Sequence, residues 1–255
     1  MNYLLSTLLF ANVLALAQVN TEKMRRRASE EGAQLEAAAS GAITTGNSEY
    51  VNVASRARFD YYALPFHVFL VGNFEFKEGA NKVKQEHEAF AHLRGVYRFS
   101  PTFSAEAFAQ KEFDEFKSLV DRNLVGAGAR VALLGVRDTS GALAAVETHL
   151  GIGAMFENET YDVAGERTID LVRSTNYFSL DWRFEETVSF SVVSYFQFDV
   201  ADSDDFRSLT QANLTFSLSD NLAITSGVNY FYDNAPEPTV KHYDFEAVNG
   251  IVISL

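Results

Sequence analysis

The sequence predicts an all-β protein: a transmembrane, antiparallel up-and-down β-barrel of about twelve strands with its charged side chains turned inward. Three observations lead there. Period-two alternation recurs from Leu35 to the end of the chain, one phase of the alternating segments is free of charge, and aromatic residues gather toward the ends of that apolar phase. No stretch of useful length follows a helical period.

The elements follow in chain order. Residues 1–17 are apolar from Tyr3 and end in Ala15-Leu16-Ala17, a small-x-small pattern before Gln18, so they read as a signal peptide. The start lacks the usual Lys or Arg, and a buried N-terminal helix is the competing reading. Residues 18–34, "QVNTEKMRRRASEEGAQ", are charged without an apolar face and read as a periplasmic N-terminal segment. Arg25, Arg26 and Arg27 there fit a solvated tail better than a contact to lipid head groups or a partner. Beyond Ala17 the longest stretch without Asp, Glu, Lys or Arg is Tyr61 to Phe74, 14 residues, short of the roughly 20 that a membrane helix needs. A membrane would therefore have to be crossed by strands, in a barrel covering 35–255.

Alternation and turn signals place the strands at 34–45, 49–61, 65–77, 84–99, 103–114, 119–134, 142–157, 167–184, 187–200, 206–218, 222–233 and 241–255. A count two lower is the competing reading. One phase reads Val51, Val53, Ser55, Ala57, Phe59, Tyr61 in the second strand, Phe66, Val68, Leu70, Gly72, Phe74, Phe76 in the third, and Val188, Phe190, Val192, Ser194, Phe196, Phe198 in the ninth. The opposite phase interleaves both signs: Arg56, Arg58, Asp60, Glu75, Glu88, Arg94, Arg98, Glu106, Glu112, Arg122, Arg130, Glu147, Arg173, Asp181, Arg183, Asp199 and Arg207.

A soluble sandwich would alternate in the same way, with its apolar phase as a core. Three features favour the inverted arrangement. One set of aromatics (Phe59, Tyr61, Phe66, Tyr97, Phe99, Phe103, Trp182, Phe184, Phe216) and a second (Phe74, Phe76, Phe156, Phe196, Phe198, Tyr230, Tyr232, Tyr243, Phe245) form two girdles. Tight connections at "YALP", "SPT", "FEET" and "SDN" alternate with longer ones at "KEGANKV", "ENETYDVAGE", "ADSDD" and "DNAPEPTV", as outer-membrane barrels show. An even strand number brings both ends to the short-turn rim. An Arg or Lys facing lipid at mid-depth costs about 2–4 kcal/mol, so this many charges require a lumen. The last strand carries Phe245, Ala247, Asn249, Ile251, Ile253 and Leu255 in its apolar phase, without a terminal aromatic.

Composition narrows the chemistry. The formal net charge of −13 disfavours nucleic acid, whose binding depends on neutralising phosphates with Lys and Arg. The absence of cysteine removes disulfides, thiolate metal sites and cysteine nucleophiles. "HEAFAH", His87 to His92, has one residue too many for a zinc-binding H-E-x-x-H, and on a strand its histidines point to opposite faces. "DVADSDD", Asp199 to Asp205, lacks the glycine and distal glutamate of a calcium loop and reads as a solvated acidic loop. "GAGAR" lies within a strand, so Gly126 and Gly128 make room for large neighbours and form no phosphate loop. No cofactor or metal is expected, and no cluster of Ser, His and acid points to a lipid-modifying enzyme.

The motifs "TTGNS" (Thr44 to Ser48), "FDEFKSLVDRNLVGAGAR" (Phe113 to Arg130), "VETHLGIGAMFENE" (Val146 to Glu159) and "RSTNYFSLDW" (Arg173 to Trp182) resemble the YdiY-like family of bacterial salt-induced outer-membrane proteins, domain of unknown function 481. The resemblance covers roughly Leu35 to Leu255 and implies a bacterial outer-membrane barrel, with no established reaction or ligand. Two functional readings remain open. One is a non-catalytic narrow channel or salt-responsive envelope protein, with small ions or solutes and outer-membrane lipid as partners and a monomeric state. The other is a structural barrel whose lumen is plugged by its own ion pairs and whose acidic loops bind cations or lipid.

Overall fold

The computed structural model describes residues 22, 25, 31–47, 49–80, 83–135, 146–163, 165–184, 187–219, 221–237 and 240–253. The expected signal peptide, nearly all of the charged segment that follows it (Arg26 and Arg27 included), the expected start of the seventh strand at 142, and Leu255 lie outside the described residues.

Twelve strands form: β1 (Gly32–Thr44), β2 (Tyr50–Ala63), β3 (Phe66–Gly79), β4 (Lys84–Arg98), β5 (Phe103–Asp114), β6 (Leu119–Gly135), β7 (Val146–Asp162), β8 (Glu166–Phe184), β9 (Val188–Asp199), β10 (Phe206–Ser219), β11 (Leu222–Asp233) and β12 (Tyr243–Ile253). Each pairs with its sequence neighbour in one up-and-down sheet, and every pairing is antiparallel. The sheet is rolled. Arg207 on β10 reaches Glu159 on β7 at 2.9 Å, and Tyr177 on β8 donates to Glu106 on β5 at 3.4 Å. Such bonds join strands three apart, whose spacing in a flat sheet would be roughly 14 Å. Among the described residues β1 and β12 do not pair with each other, and both expose their inner faces, at Ser40 and Ala42 on one and Asp244 and Val248 on the other.

The two faces sort as the alternation predicts. Register partners in an antiparallel pair share a face, and Gly126, the partner of Phe108, continues that row to Met155 and Arg173. The outer face is apolar and bare: Phe59, Tyr61, Phe66, Tyr97, Phe99, Phe103, Trp182, Phe184, Phe216, Phe156, Phe196, Tyr230, Tyr243 and Phe245 are all exposed. Soluble monomers rarely expose apolar patches beyond a few hundred Å². Apolar groups also enter the lumen. Tyr177, Tyr195, Leu209 and Phe231 form one buried cluster with Val193 against it, and Phe69, Val71 and Phe90 form another.

The connections depart in part from the expectation. "ENETYDVAGE" reads as a long loop, but β7 continues to Asp162 and β8 begins at Glu166, leaving three residues in which Gly165 adopts φ +115°. Beyond the apolar band the side chains turn polar while the backbone ladder continues, so hydrophobic alternation stops before hydrogen bonding does. Longer connections on that rim remain after β9 and β11. The opposite rim carries tight turns, as at Ser100, whose Oγ accepts from the Thr102 and Phe103 amides at 3.2 and 3.0 Å, except between β6 and β7, which ten residues separate. The start of β1 and the end of β12 sit on this turn rim, with Gly32 opposite Tyr62 and Ile253 opposite Leu222.

Glycines let β6 and β7 take large rings against their backbone. Gly151 lies beneath the Tyr177 ring, and a Cβ on Gly128 would come within 2.6 Å of the Ile152 carbonyl. Gly151→Ala should therefore overpack the lumen and cost about 1–3 kcal/mol, read as a lower urea midpoint for the detergent-folded protein. Gly135→Ala, with open space around it, should stay within about 0.5 kcal/mol of the parent.

Candidate functional site

The inward phase gathers its charges into two layers. The loop-side layer, toward the longer connections, centres on Arg122. Its register partners are Glu112 on β5 and Glu159 on β7, so alternation alone puts a cation between two carboxylates. Arg122 pairs with Glu112 at 2.7 Å, with Glu159 at 3.0 Å, and with Glu157. Glu157 also takes Arg173 at 2.6 Å and Arg207 at 3.3 Å. Arg207 closes the set through Glu159 and Asp233, each at 2.9 Å, while Arg173 reaches Asp205 at 2.9 Å. Arg173 and Glu157 are fully buried and Arg122 is 1 % exposed. A guanidinium offers five donors in a planar fork, so one arginine can hold two or three carboxylates from different strands.

The turn-side layer comprises Arg94, Glu106 and Arg130 with Tyr177 and Tyr195. Arg94 donates to Glu106 at 3.1 Å. The chain's own N-terminal segment completes it: the Glu22 carboxylate accepts from Arg130 at 2.7 Å and from Arg25 Nε at 3.1 Å, and lies 3.6 Å from Arg94. Arg25 pairs in turn with Glu106. These two residues therefore do not belong to a solvated tail, since opposite charges three positions apart find complementary partners inside the lumen.

Between the layers the lumen holds two small cavities. A cavity of about 30 Å³ is lined by His92, Phe108, Gln110, Leu124, Thr175 and Gln197, and one of about 20 Å³ by Phe108, Gly128, Gly153, Tyr177 and Tyr195. Each has room for a water molecule or so.

The remaining expected lumen residues stand apart from these layers. Arg58 pairs with Asp60, which also bonds His67 at 3.1 Å. Glu75 and Glu88 face each other in register, and Glu88 faces Asp114. Glu147 and Asp181 are register partners at the turn rim. Arg56, Arg98, Asp181 and Arg183 are exposed. His87 lies on the outer face against Phe74, Phe76 and Phe113, while His92 is buried in the lumen beside Gln110. Within "DVADSDD", Asp205 pairs with Arg173, and Asp199 and Asp202 accept from the amides of Ala201 and Asp204. Among the described residues no group of three or more His, Cys, Asp or Glu is arranged to hold a metal. At the loop rim the Lys84 ammonium, hydrogen-bonded at 2.8 Å, holds the Glu115 carboxyl below its usual range.

Glu157, Glu159, Asp205 and Asp233 are missing from the charges legible as lumenal in the sequence. The first two fall in "ENETYDVAGE", yet they continue the phase of Met155, which was the available signal. Nothing in the sequence marked Glu22 or Arg25 as lumenal.

Removing one partner of a buried ion network leaves the others uncompensated, which costs about 3–5 kcal/mol. Arg122→Ala should lower the unfolding free energy of the folded protein by that amount in a urea titration. Exposed Arg56→Ala should change it by less than about 0.5 kcal/mol.

Comparison with known proteins adds four findings. Among solved structures the chain is similar to the NanC porin, with 7% identity, 88% of this chain and 99% of that chain covered, and a TM-score of 0.49. It is likewise similar to a bacterial polysaccharide outer membrane secretin, with 10% identity, 88% and 76% coverage, and a TM-score of 0.49. No curated protein matches the chain. The family model described as "Protein of unknown function, DUF481" matches residues 37–254, so the chain belongs to that family.

Proposed function

We propose that the protein is a non-catalytic barrel of the bacterial outer membrane, monomeric, whose lumen is plugged at rest by its two ionic layers. The observation that carries this reading is the division of faces. Exposed aromatics and aliphatics cover the outside, and fully buried Arg173 and Glu157 meet at 2.6 Å inside. Lipid is the partner that suits such an outer face. A non-catalytic role is supported by the occupation of the histidines. His67 bonds Asp60, His87 bonds Glu115, His92 bonds Gln110 and His242 bonds the Asp233 carbonyl; none of these four engages a serine hydroxyl, as a nucleophile–base pair requires.

The plugged reading is favoured over a standing channel because the two cavities between the layers, of about 30 and 20 Å³, are too small for a hydrated ion. Passage would need the loop-side layer to part. Salt at ordinary strength screens such buried pairs weakly, so any response to salt would enter through exposed loop charges such as Asp202 and Asp204.

In a planar bilayer the unaltered protein should give no conductance steps. Arg122→Ala/Glu157→Ala, which removes the centre of the layer, should give small discrete ones. Steps of open-porin size from the unaltered barrel would contradict the plugged reading.

A further inference from the structure

The turn-side layer has an unusual composition. Its central carboxylate comes from the segment before β1, not from the wall. Glu22 is 6 % exposed, its carboxylate is held by Arg130 at 2.7 Å and Arg25 at 3.1 Å with Arg94 at 3.6 Å, and its amide donates to the Tyr195 hydroxyl at 2.8 Å. β1 also starts at the turn rim, on the same side of the barrel as this layer.

We infer that the wall residues Arg94 and Arg130, with Tyr177 and Tyr195, form a carboxylate-binding site that Glu22 fills as an internal stand-in for a small hydroxylated carboxylate of the uronate class. Four observations support it. Two wall guanidinia converge on one carboxylate, a charge-assisted arrangement stronger than neutral hydrogen bonds. The Nε of Arg130 is buried without a hydrogen-bond partner among the described residues, a donor still available to a ligand larger than a carboxylate. The adjoining cavity of about 20 Å³ is lined by the Thr175, Tyr177 and Tyr195 side chains, which supply hydroxyls and ring faces for a polyhydroxylated ring. Finally, the occupant is tethered to the turn rim, so its departure would leave the wall donors in place and open room on the side facing the periplasm.

Glu22, ten positions before the start of β1, competes as an intramolecular ligand, whose effective concentration is of millimolar order. External carboxylates therefore bind the unaltered protein only weakly. The site rests on reading the lumen as the solute-facing side, but it does not require conduction.

Calorimetric titration of the refolded full chain with D-glucuronate tests it. Glu22→Gln should bind at least about tenfold more tightly than the parent, the gain should vanish in Glu22→Gln/Arg130→Gln, and D-glucose should not bind. Equal affinities for parent and Glu22→Gln, or a gain that survives Arg130→Gln, would overturn the assignment. A second readout needs no variant. In the unaltered protein, saturating D-glucuronate should speed hydrogen exchange at the Glu22 amide and D-glucose should not; unchanged exchange at saturation would overturn it. Glucuronate binding in a barrel whose neutralised loop-side layer never conducts would support the site and reject only the path.

Discussion

The proposed membrane barrel depends on one constraint: an ionised side chain at mid-depth is too costly against hydrocarbon, so on a sheet that meets lipid the charged phase turns inward. Arg122 and Glu157 show how far this goes. Each is held by several opposite charges from several strands, so the loop-side layer is one network and not a sum of pairs. The geometry follows from the roll of the sheet, because Arg207 meets Glu159 only when β10 curves back toward β7. The roll in turn needs glycine on β6 and β7, where Tyr177 packs directly on Gly151. Sequence, curvature and charge pairing are therefore linked through a few residues.

That linkage also explains the small lumen. A barrel of twelve strands lies between those filled by side chains and the open porins, and here rings join the ions in filling it. Tyr177, Tyr195, Leu209 and Phe231 pack beside the arginines, so the inner face is amphipathic. Low local dielectric strengthens satisfied hydrogen bonds and raises the cost of unsatisfied ones. A half-satisfied network would therefore be costly, as the proposed plugged state requires.

Much of this was legible in the sequence because period two is a direct readout of face. Arg122 and Glu112 fell in one phase and proved to be register partners; the outer aromatics of both girdles were likewise identified by phase. Two parts were not legible, for different physical reasons. The end of β7 is polar on both faces, so periodicity gave no contrast there, and Glu157 and Glu159 looked like loop. Glu22 and Arg25 have no periodic context at all, and their place is set by charges more than seventy residues away in sequence, Glu106 among them. Local patterns encode the wall, whereas its filling is encoded by long-range complementarity that no short window contains.

The central claim, that the apolar phase meets lipid and the charged phase does not, can be read from the chain's single tryptophan. Trp182 stands exposed on the outer face beside Phe184. With the protein refolded into vesicles, lipids brominated near the headgroup end of the acyl chain should quench Trp182 strongly and aqueous iodide should quench it weakly. Strong iodide quenching with no effect of brominated lipid would contradict the account, because it would put the aromatic face in water.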